Sequence, residues 1–343
     1  MKALVKEKPG PGLSLLDIDV PQIERPDDVQ FQVAVCAICV GEMKVYDWSE
    51  WAANDTTLQL PTVLGHEVSG VVTGVGSDVT RFRPGDRIVV DPLIACGHCF
   101  MCRKGKTNMC LNREIYGKRR GAFAEFAVLP QSALARLPDR LSFEEGALLE
   151  NLGIAVHAVE IDTHDPGDTT VVIGCGPIGI MAGQALVAQG CRVVMTDLAG
   201  PRLDKARQMI PGVVIDVREQ DAVGVVKEMT EGRGADFVIE AAATQSALDQ
   251  AFALARNCGT VVTIGTFGKP VSFNPFFTMT RREIRLQSIM GRTWETWRRM
   301  VQLIESEQVD LKPFISYILP FEEYEQGFEL VRSSETMKVL LRP

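Results

Sequence analysis

Four cysteines crowd into the stretch CGHCFMCRKGKTNMC: Cys96, Cys99, Cys102 and Cys110. Three recur at intervals of three and the fourth follows eight residues later. Thiolates at C-x2-C spacing close a tetrahedron around one zinc ion. Four protein ligands leave no position for a substrate, so such a site is structural. An iron–sulfur cluster uses the same four thiolates and is the competing reading. His98, inside the first C-x2-C, reads as a solvated turn residue. Cys36, Cys175, Cys191 and Cys258 have no such spacing and read as packing in strands or turns.

A second set is looser. His66 and Glu67 follow Gly65 in PTVLGHEVSGVV. Imidazole and carboxylate both ligate zinc, and Cys39, in CAICVGEMKVYDW, offers a third donor. Alone, His66 reads more readily as a satisfied structural histidine. Two residues beyond Cys39 stands Gly41, with no side chain to carry a proton, and then Lys44, a cation unless burial lowers its pKa. Lys44 also reads as a surface lysine on a loop. Trp48 and Trp51 suit either a cleft wall or a core.

The third set is a loop. VVIGCGPIGIMAG holds Gly174, Gly176 and Gly179 at G-x-G-x-x-G spacing, after a strand pattern and before a helical one. That context is the one a dinucleotide fingerprint requires. The first glycine turns the chain, the second admits a pyrophosphate and the third lets helix and strand approach. Asp197 closes the next strand pattern, where a carboxylate accepts from a ribose diol and repels a 2′-phosphate, favouring NAD over NADP. Arg202, five residues on, suits the adenosine end or a solvated helix face.

These groups need a scaffold, and two rhythms supply it. Up to about residue 150, short apolar runs alternate with Gly/Pro turns, which predicts a mostly β domain. From TTVVIG (169–174) onward, strand and helix patterns alternate through CRVVMTD, GVVIDV, DFVIEA and GTVVTIG. That alternation predicts a doubly wound parallel sheet, with IRLQSI (284–289) as its sixth strand. An amphipathic helix over 294–306 and a last strand, KVLLR, close the chain.

The whole chain resembles the zinc-dependent medium-chain dehydrogenases. The GHE stretch, the four-cysteine lobe, GDRIVV, GCGPIG and Asp197 carry the likeness. YDWSEWA, GPIGIMA, GRTWETWRRMVQLI and GFELVRSSETMKVLL resemble the L-threonine 3-dehydrogenase and polyol (sorbitol) dehydrogenase branch. The resemblance implies an α/β fold: a GroES-like, mostly β catalytic domain (1–151, zinc lobe 91–112), a Rossmann NAD domain (152–290) and a C-terminal return to the first domain (291–343). It implies two zinc ions per chain and NAD. Cys39, His66 and Glu67 become catalytic zinc ligands, with Glu150 either an alternating ligand or a relay partner. Ile178, Asp197, Arg202, Ile264, Gly265, Thr266, Ile289 and Met290 become cofactor contacts. It also implies a homo-oligomer, with a tetramer favoured, for which the apolar VVTIGTFGKPVSFNPFF supplies a surface.

The implied reaction is NAD-linked oxidation of a secondary alcohol, such as a polyol, sugar acid or amino alcohol, to a ketone. L-threonine oxidation is the alternative, and a non-catalytic zinc- and NAD-binding homologue is a third reading. The branch usually reads Cys-Gly-Ser/Thr-Asp, often followed by x-His. Gly41 and Lys44 depart from it, and Lys44 is a candidate holder of an acidic substrate. Of the 343 residues, 46% are hydrophobic and 23% charged, with formal charge −8. Basic residues are scattered, apart from short pairs such as that at Arg119 and TRREIR (280–285), which argues against a nucleic-acid surface. The N-terminus lacks the apolar run of a signal peptide and no stretch reaches membrane-spanning length. Cytoplasm is therefore expected, with the nine cysteines reduced or metal-bound.

Overall fold

Val29, Phe31, Val33 and Val35 fall at every second position of the strand Asp28–Ala37, and all four are buried. That is the two-residue period of a strand presenting one face to a core. Glu67–Val75 and Phe126–Pro130 pair antiparallel with this strand. Lys338–Arg342, at the far end of the chain, also pairs with it antiparallel. Arg87–Val90, Leu134–Arg136 and Ile315–Pro320 complete a seven-stranded sheet. Phe31, Phe123, Phe321 and Phe328 fill the core against it. The computed structural model describes residues 1–117, 120–198 and 200–343. Arg119, noted above for its basic pair, lies outside the described residues.

Register decides what meets at one end of this sheet. Ala37 stands opposite Glu67, and Leu340 stands opposite Ala37. The residues just past Ala37, the start of Glu67–Val75 and the start of Lys338–Arg342 therefore converge. A two-stranded ribbon, Leu93–Ile94 with Glu114–Ile115, flanks the cysteine-rich stretch on both sides.

The second unit holds a six-stranded parallel sheet in the order Val213–Asp216, Arg192–Asp197, Thr169–Ile173, Ala235–Glu240, Ala255–Thr263, Arg285–Ser288. Every residue of Thr169–Ile173 is buried, as expected for a strand covered on both faces. The strand order reverses between Thr169–Ile173 and Ala235–Glu240. In such sheets the crevice at the carboxyl ends of those two strands is where ligands bind.

The chain divides into Met1–Glu150 with Leu311–Pro343, and Asn151–Asp310. The boundary expected at 291 is thus moved: residues 291–310 belong with the parallel sheet. Helix Trp294–Glu305 explains why. It buries Thr296, Trp297, Met300 and Ile304, and Thr296 Oγ1 donates to Glu160 Oε2 at 2.7 Å within the same unit. Among the described residues no helix is long and apolar enough to cross a membrane.

Candidate metal and dinucleotide sites

Cys39 caps the N-terminus of helix Val40–Tyr46, its sulfur accepting from the Gly41 N–H at 3.3 Å. Glu42 answers from the third helical position: its Oε2 accepts the Cys39 N–H at 2.9 Å, closing a capping box. The other oxygen, Oε1, lies 2.9 Å from His66 Nδ1. Nδ1 being engaged, Nε2 is the ring nitrogen left for a metal. The ligand atoms of Cys39, His66 and Glu67 all lie within 4.8 Å of one another. Thiolate, imidazole and carboxylate converging in this way form the donor set of a zinc site with three protein ligands. A carboxylate on the remote ring nitrogen is also how metal-binding imidazoles are oriented.

Glu67 is fully buried and meets a cation. Lys338 Nζ lies 2.5 Å from Glu67 Oε2 and donates to the Ile38 carbonyl at 3.1 Å. Burial works against the ammonium's charge, but Glu67, Cys39 and Glu42 outweigh it and hold the Lys338 pKa above its usual value. His66 behaves likewise: burial lowers its pKa, while Glu42 and Cys39 raise it further, leaving it well above the ordinary histidine value. Glu150 is buried in the first turn of helix Leu149–Val159 and stands outside the three-residue set. Lys44 lies on helix Val40–Tyr46 and not on a loop, with its ammonium 5.4 Å from the centre of the Trp51 ring. Trp48 carries Lys6 over its ring at the same distance.

The four lobe sulfurs also fall within 4.8 Å of one another. Cys99 lies 3.5 Å from Cys102 and 3.9 Å from Cys110, sulfur to sulfur. A tetrahedron with zinc–sulfur bonds of about 2.3 Å has edges of about 3.8 Å. The spacing fits a single ion and is too tight to span a multi-iron cluster. Backbone amides aim at the sulfurs: those of Cys96 and Asn112 each donate to Cys110 at 3.3 Å. Such donors, the His98 amide foremost, bring the Cys96 thiol down to about 6, while burial raises Cys102 to about 12. His98 is an exposed turn residue whose Nδ1 faces the Cys96 carbonyl at 2.7 Å. Cys36, Cys175 and Cys191 are buried, but Cys258 is exposed, so packing does not explain it.

In the second unit, Gly174 ends the first strand of the parallel sheet at φ +105°. A Cβ on Gly179 would sit 2.0 Å from the Gly174 carbonyl oxygen, so no larger residue fits. Gly176 caps helix Pro177–Ala188, and a Cβ there would meet nothing within 4 Å. That open side leaves room for a phosphate at a helix N-terminus. Ile178 lies in the helix's first turn. Asp197 ends its strand with Oδ2 accepting the Cys175 N–H at 2.6 Å and Oδ1 the Leu198 N–H at 2.7 Å, which ties the carboxylate to the loop. Burial lowers the Arg202 pKa and neighbouring Asp197 opposes that. Ile264 donates its N–H to the Glu240 carbonyl at 2.9 Å, and Gly265 lies against Ala243. Thr266 follows. Ile289 donates to the Thr263 carbonyl at 3.3 Å, and Met290 is exposed.

Four residues escaped the sequence reading. Glu42 carried a signal, since Cys-x-x-Glu is cap-to-N3 spacing. Lys338 carried none, because its partners lie at the opposite end of the chain. Glu240 is buried and accepts the Ala242 and Ala243 N–H groups at 2.9 and 2.6 Å, holding the turn beside Gly174 and Gly265. Arg292 is buried against Gly153, where a Cβ would sit 2.3 Å from its Nε.

A parallel sheet with a dinucleotide loop, joined in one chain to a β unit bearing a zinc-type donor set, defines a metal-dependent, dinucleotide-linked oxidoreductase. The zinc-binding dehydrogenase family matches residues 177–306 and the alcohol dehydrogenase GroES-like domain matches 25–139. L-threonine 3-dehydrogenase of Bacillus subtilis is 36% identical over 346 residues, covering 100% of this chain and 99% of the relative. The chain belongs to the zinc-binding alcohol dehydrogenase family. Among solved structures, 2R,3R-butanediol dehydrogenase from B. subtilis has a TM-score of 0.89 at 27% identity, covering 100% of this chain and 99% of that one. Galactitol-1-phosphate dehydrogenase from Escherichia coli has a TM-score of 0.90 at 25% identity, with 100% of both chains covered.

Proposed function

We propose that this enzyme oxidises a secondary alcohol of the polyol, sugar-acid or amino-alcohol class to the ketone, using NAD and zinc. The observation that carries the reading is His66 pinned through Nδ1 by Glu42, with its ligand atom within 4.8 Å of those of Cys39 and Glu67. Cys39, His66 and Glu67 would hold the catalytic zinc, and Cys96, Cys99, Cys102 and Cys110 a structural one. When bound, these groups supply Lewis acidity toward an alkoxide and a hydride acceptor. The chain's own part is to place and balance. Glu42 fixes His66, and Lys338 neutralises Glu67 where a lone buried carboxylate would be costly. Glu150 stands by as a relay partner at the edge of the unit. Gly176 receives the pyrophosphate on a loop that Gly174 turns and Gly179 packs, Asp197 the ribose diol, and Ile178, Arg202, Ile264, Gly265, Thr266, Ile289 and Met290 the rest of the dinucleotide. Gly41 carries no hydroxyl, so the alcohol's proton leaves through water.

The near full-length likeness to L-threonine 3-dehydrogenase favours threonine as the second reading. Gly41 and Lys44 speak against it. Metal analysis, with NADH absorbance on neutral polyols, hydroxy acids and L-threonine, decides. Two zinc ions per chain and polyol turnover that His66→Ala abolishes support the proposal, whereas turnover of L-threonine alone would replace it. We place the enzyme in the cytoplasm as a homo-oligomer, a tetramer by analogy. Exposed Phe276 and Phe277 and the edge strand Arg285–Ser288 offer subunit surfaces. Sedimentation showing a monomer at micromolar concentration would refute the assembly.

A further inference from the structure

A cavity of about 470 Å³ opens in the first unit, a volume suited to a small metabolite. Ile94 and Ile115, from the two-stranded ribbon, form part of its wall. Tyr116 lines it too, buried, and its hydroxyl has no hydrogen-bond partner among the described residues. One residue further the chain touches the metal cluster: a Cβ on Gly117 would sit 3.3 Å from His66 Cβ. The cavity wall and the imidazole are thus carried by touching segments.

The charged lining is unbalanced. Arg113 and Arg120 contribute two guanidinium groups and Glu114 one carboxylate. Among the described residues neither arginine forms an ion pair, and the one side-chain hydrogen bond of Arg113 is a long one, 3.4 Å to the Asn108 carbonyl. Half-buried Arg113 lies three residues past Cys110, beside the cysteine lobe. Arg113 directly precedes the ribbon strand Glu114–Ile115 and exposed Arg120 follows it. Guanidinium groups with uncommitted donors match the planar and tetrahedral oxyanions. Lys44, the cation the sequence offered for this role, is not part of the lining and lies over Trp51 instead.

We propose that Arg113 and Arg120 bind an anionic group, carboxylate or phosphate, on the alcohol substrate, so that the enzyme selects hydroxy acids or phosphorylated polyols over neutral diols. This rests on the alcohol-oxidising reading above. The test uses zinc-loaded enzyme with NAD and three probes: butane-2,3-diol, 3-hydroxybutyrate and glycerol 1-phosphate. The preferred anion separates a carboxylate from a phosphate source. Charge-assisted hydrogen bonds set the expected effect. In the Arg113→Gln/Arg120→Gln double variant, KM for the preferred anion rises about tenfold to a hundredfold more than KM for the diol. Lysine at both positions recovers part of that loss. Equal changes for charged and neutral probes, or no change, would overturn the assignment. Should no alcohol be oxidised at all, the alcohol reading falls by itself. Calorimetric titration of the two anions into wild type and double variant then still decides the site: weaker binding to the variant upholds it, and identical or absent binding rejects it.

Discussion

Glu42 does two jobs with two oxygens, holding the His66 ring and the Cys39 amide at once. Glu42→Ala is therefore expected to release both ligand residues together. Loss of such an outer partner typically lowers metal affinity about 10–100-fold, which chelator competition would read. The lost cap adds about 1 kcal/mol of destabilisation, visible as a lower Tm. An unchanged chelator midpoint would show that Glu42 is only a helix cap. Gly41 poses the converse case. A Cβ there sits 3.6 Å from the Cys39 sulfur, in ordinary contact, so the backbone position admits a side chain. Gly41→Ser places a hydroxyl where none exists and is expected to raise kcat, within the ~10²–10⁴ range of a side-chain proton relay. A flat response in kcat and its pH profile would mean that proton export does not limit turnover. At this scale the sequence was legible wherever chemistry and spacing coincide, as at Cys39, His66 and Glu67. It was silent where a partner arrives by strand pairing, as Lys338 does.

The elements were legible for a different reason. Strands such as Thr169–Ile173 are apolar runs bounded by turns, and alternation with helices predicted a parallel sheet, though not its strand order. Edge strand Arg285–Ser288 has little apolar character. The two-stranded ribbon was not foreseen, since Leu93–Ile94 and Glu114–Ile115 are two residues each and carry no period. What holds them in register is the lobe between them. Cys99→Ser removes one of four thiolates from a site whose closure contributes folding free energy. The expected outcome is a fall from two zinc ions per chain to one, with a lowered Tm and faster proteolysis around residues 96–113. Retention of both ions with an unchanged Tm would mean that the lobe folds without metal. Because the ribbon carries Ile94 and Glu114, the same variant is expected to weaken selection among substrates before it weakens dinucleotide binding.

Over the whole chain, the second unit begins and ends with helices that fasten to one another. Thr296, on helix Trp294–Glu305, donates to Glu160, which follows helix Leu149–Val159, and Arg299 Nη1 reaches the other carboxylate oxygen at 3.2 Å. His157 Nδ1 lies 3.4 Å from the Thr296 hydroxyl. Amphipathic spacing made the 294–306 helix visible, but a helical stripe does not name the surface it covers, so its membership stayed hidden until Thr296 met Glu160. Burial pushes the Glu160 pKa up, yet the neighbouring His157 ring, the hydrogen bond from Thr296 and the charge of Arg299 more than offset it, so the carboxyl titrates below its usual value. A depressed folded-state pKa means that ionised Glu160 stabilises the native state. That stabilisation is complete above the ordinary glutamate pKa of about 4.3 and is lost as pH falls through the lower folded value. Glu160→Gln removes the charge while keeping one acceptor, and is expected to cost about 1–3 kcal/mol at pH 7. The difference between wild type and variant should shrink as pH falls below about 4. Urea unfolding followed between pH 7 and pH 3 measures both. A variant as stable as wild type at pH 7, or a gap that widens toward acid, would show that the carboxylate is not what ties the first and last helices of this unit together.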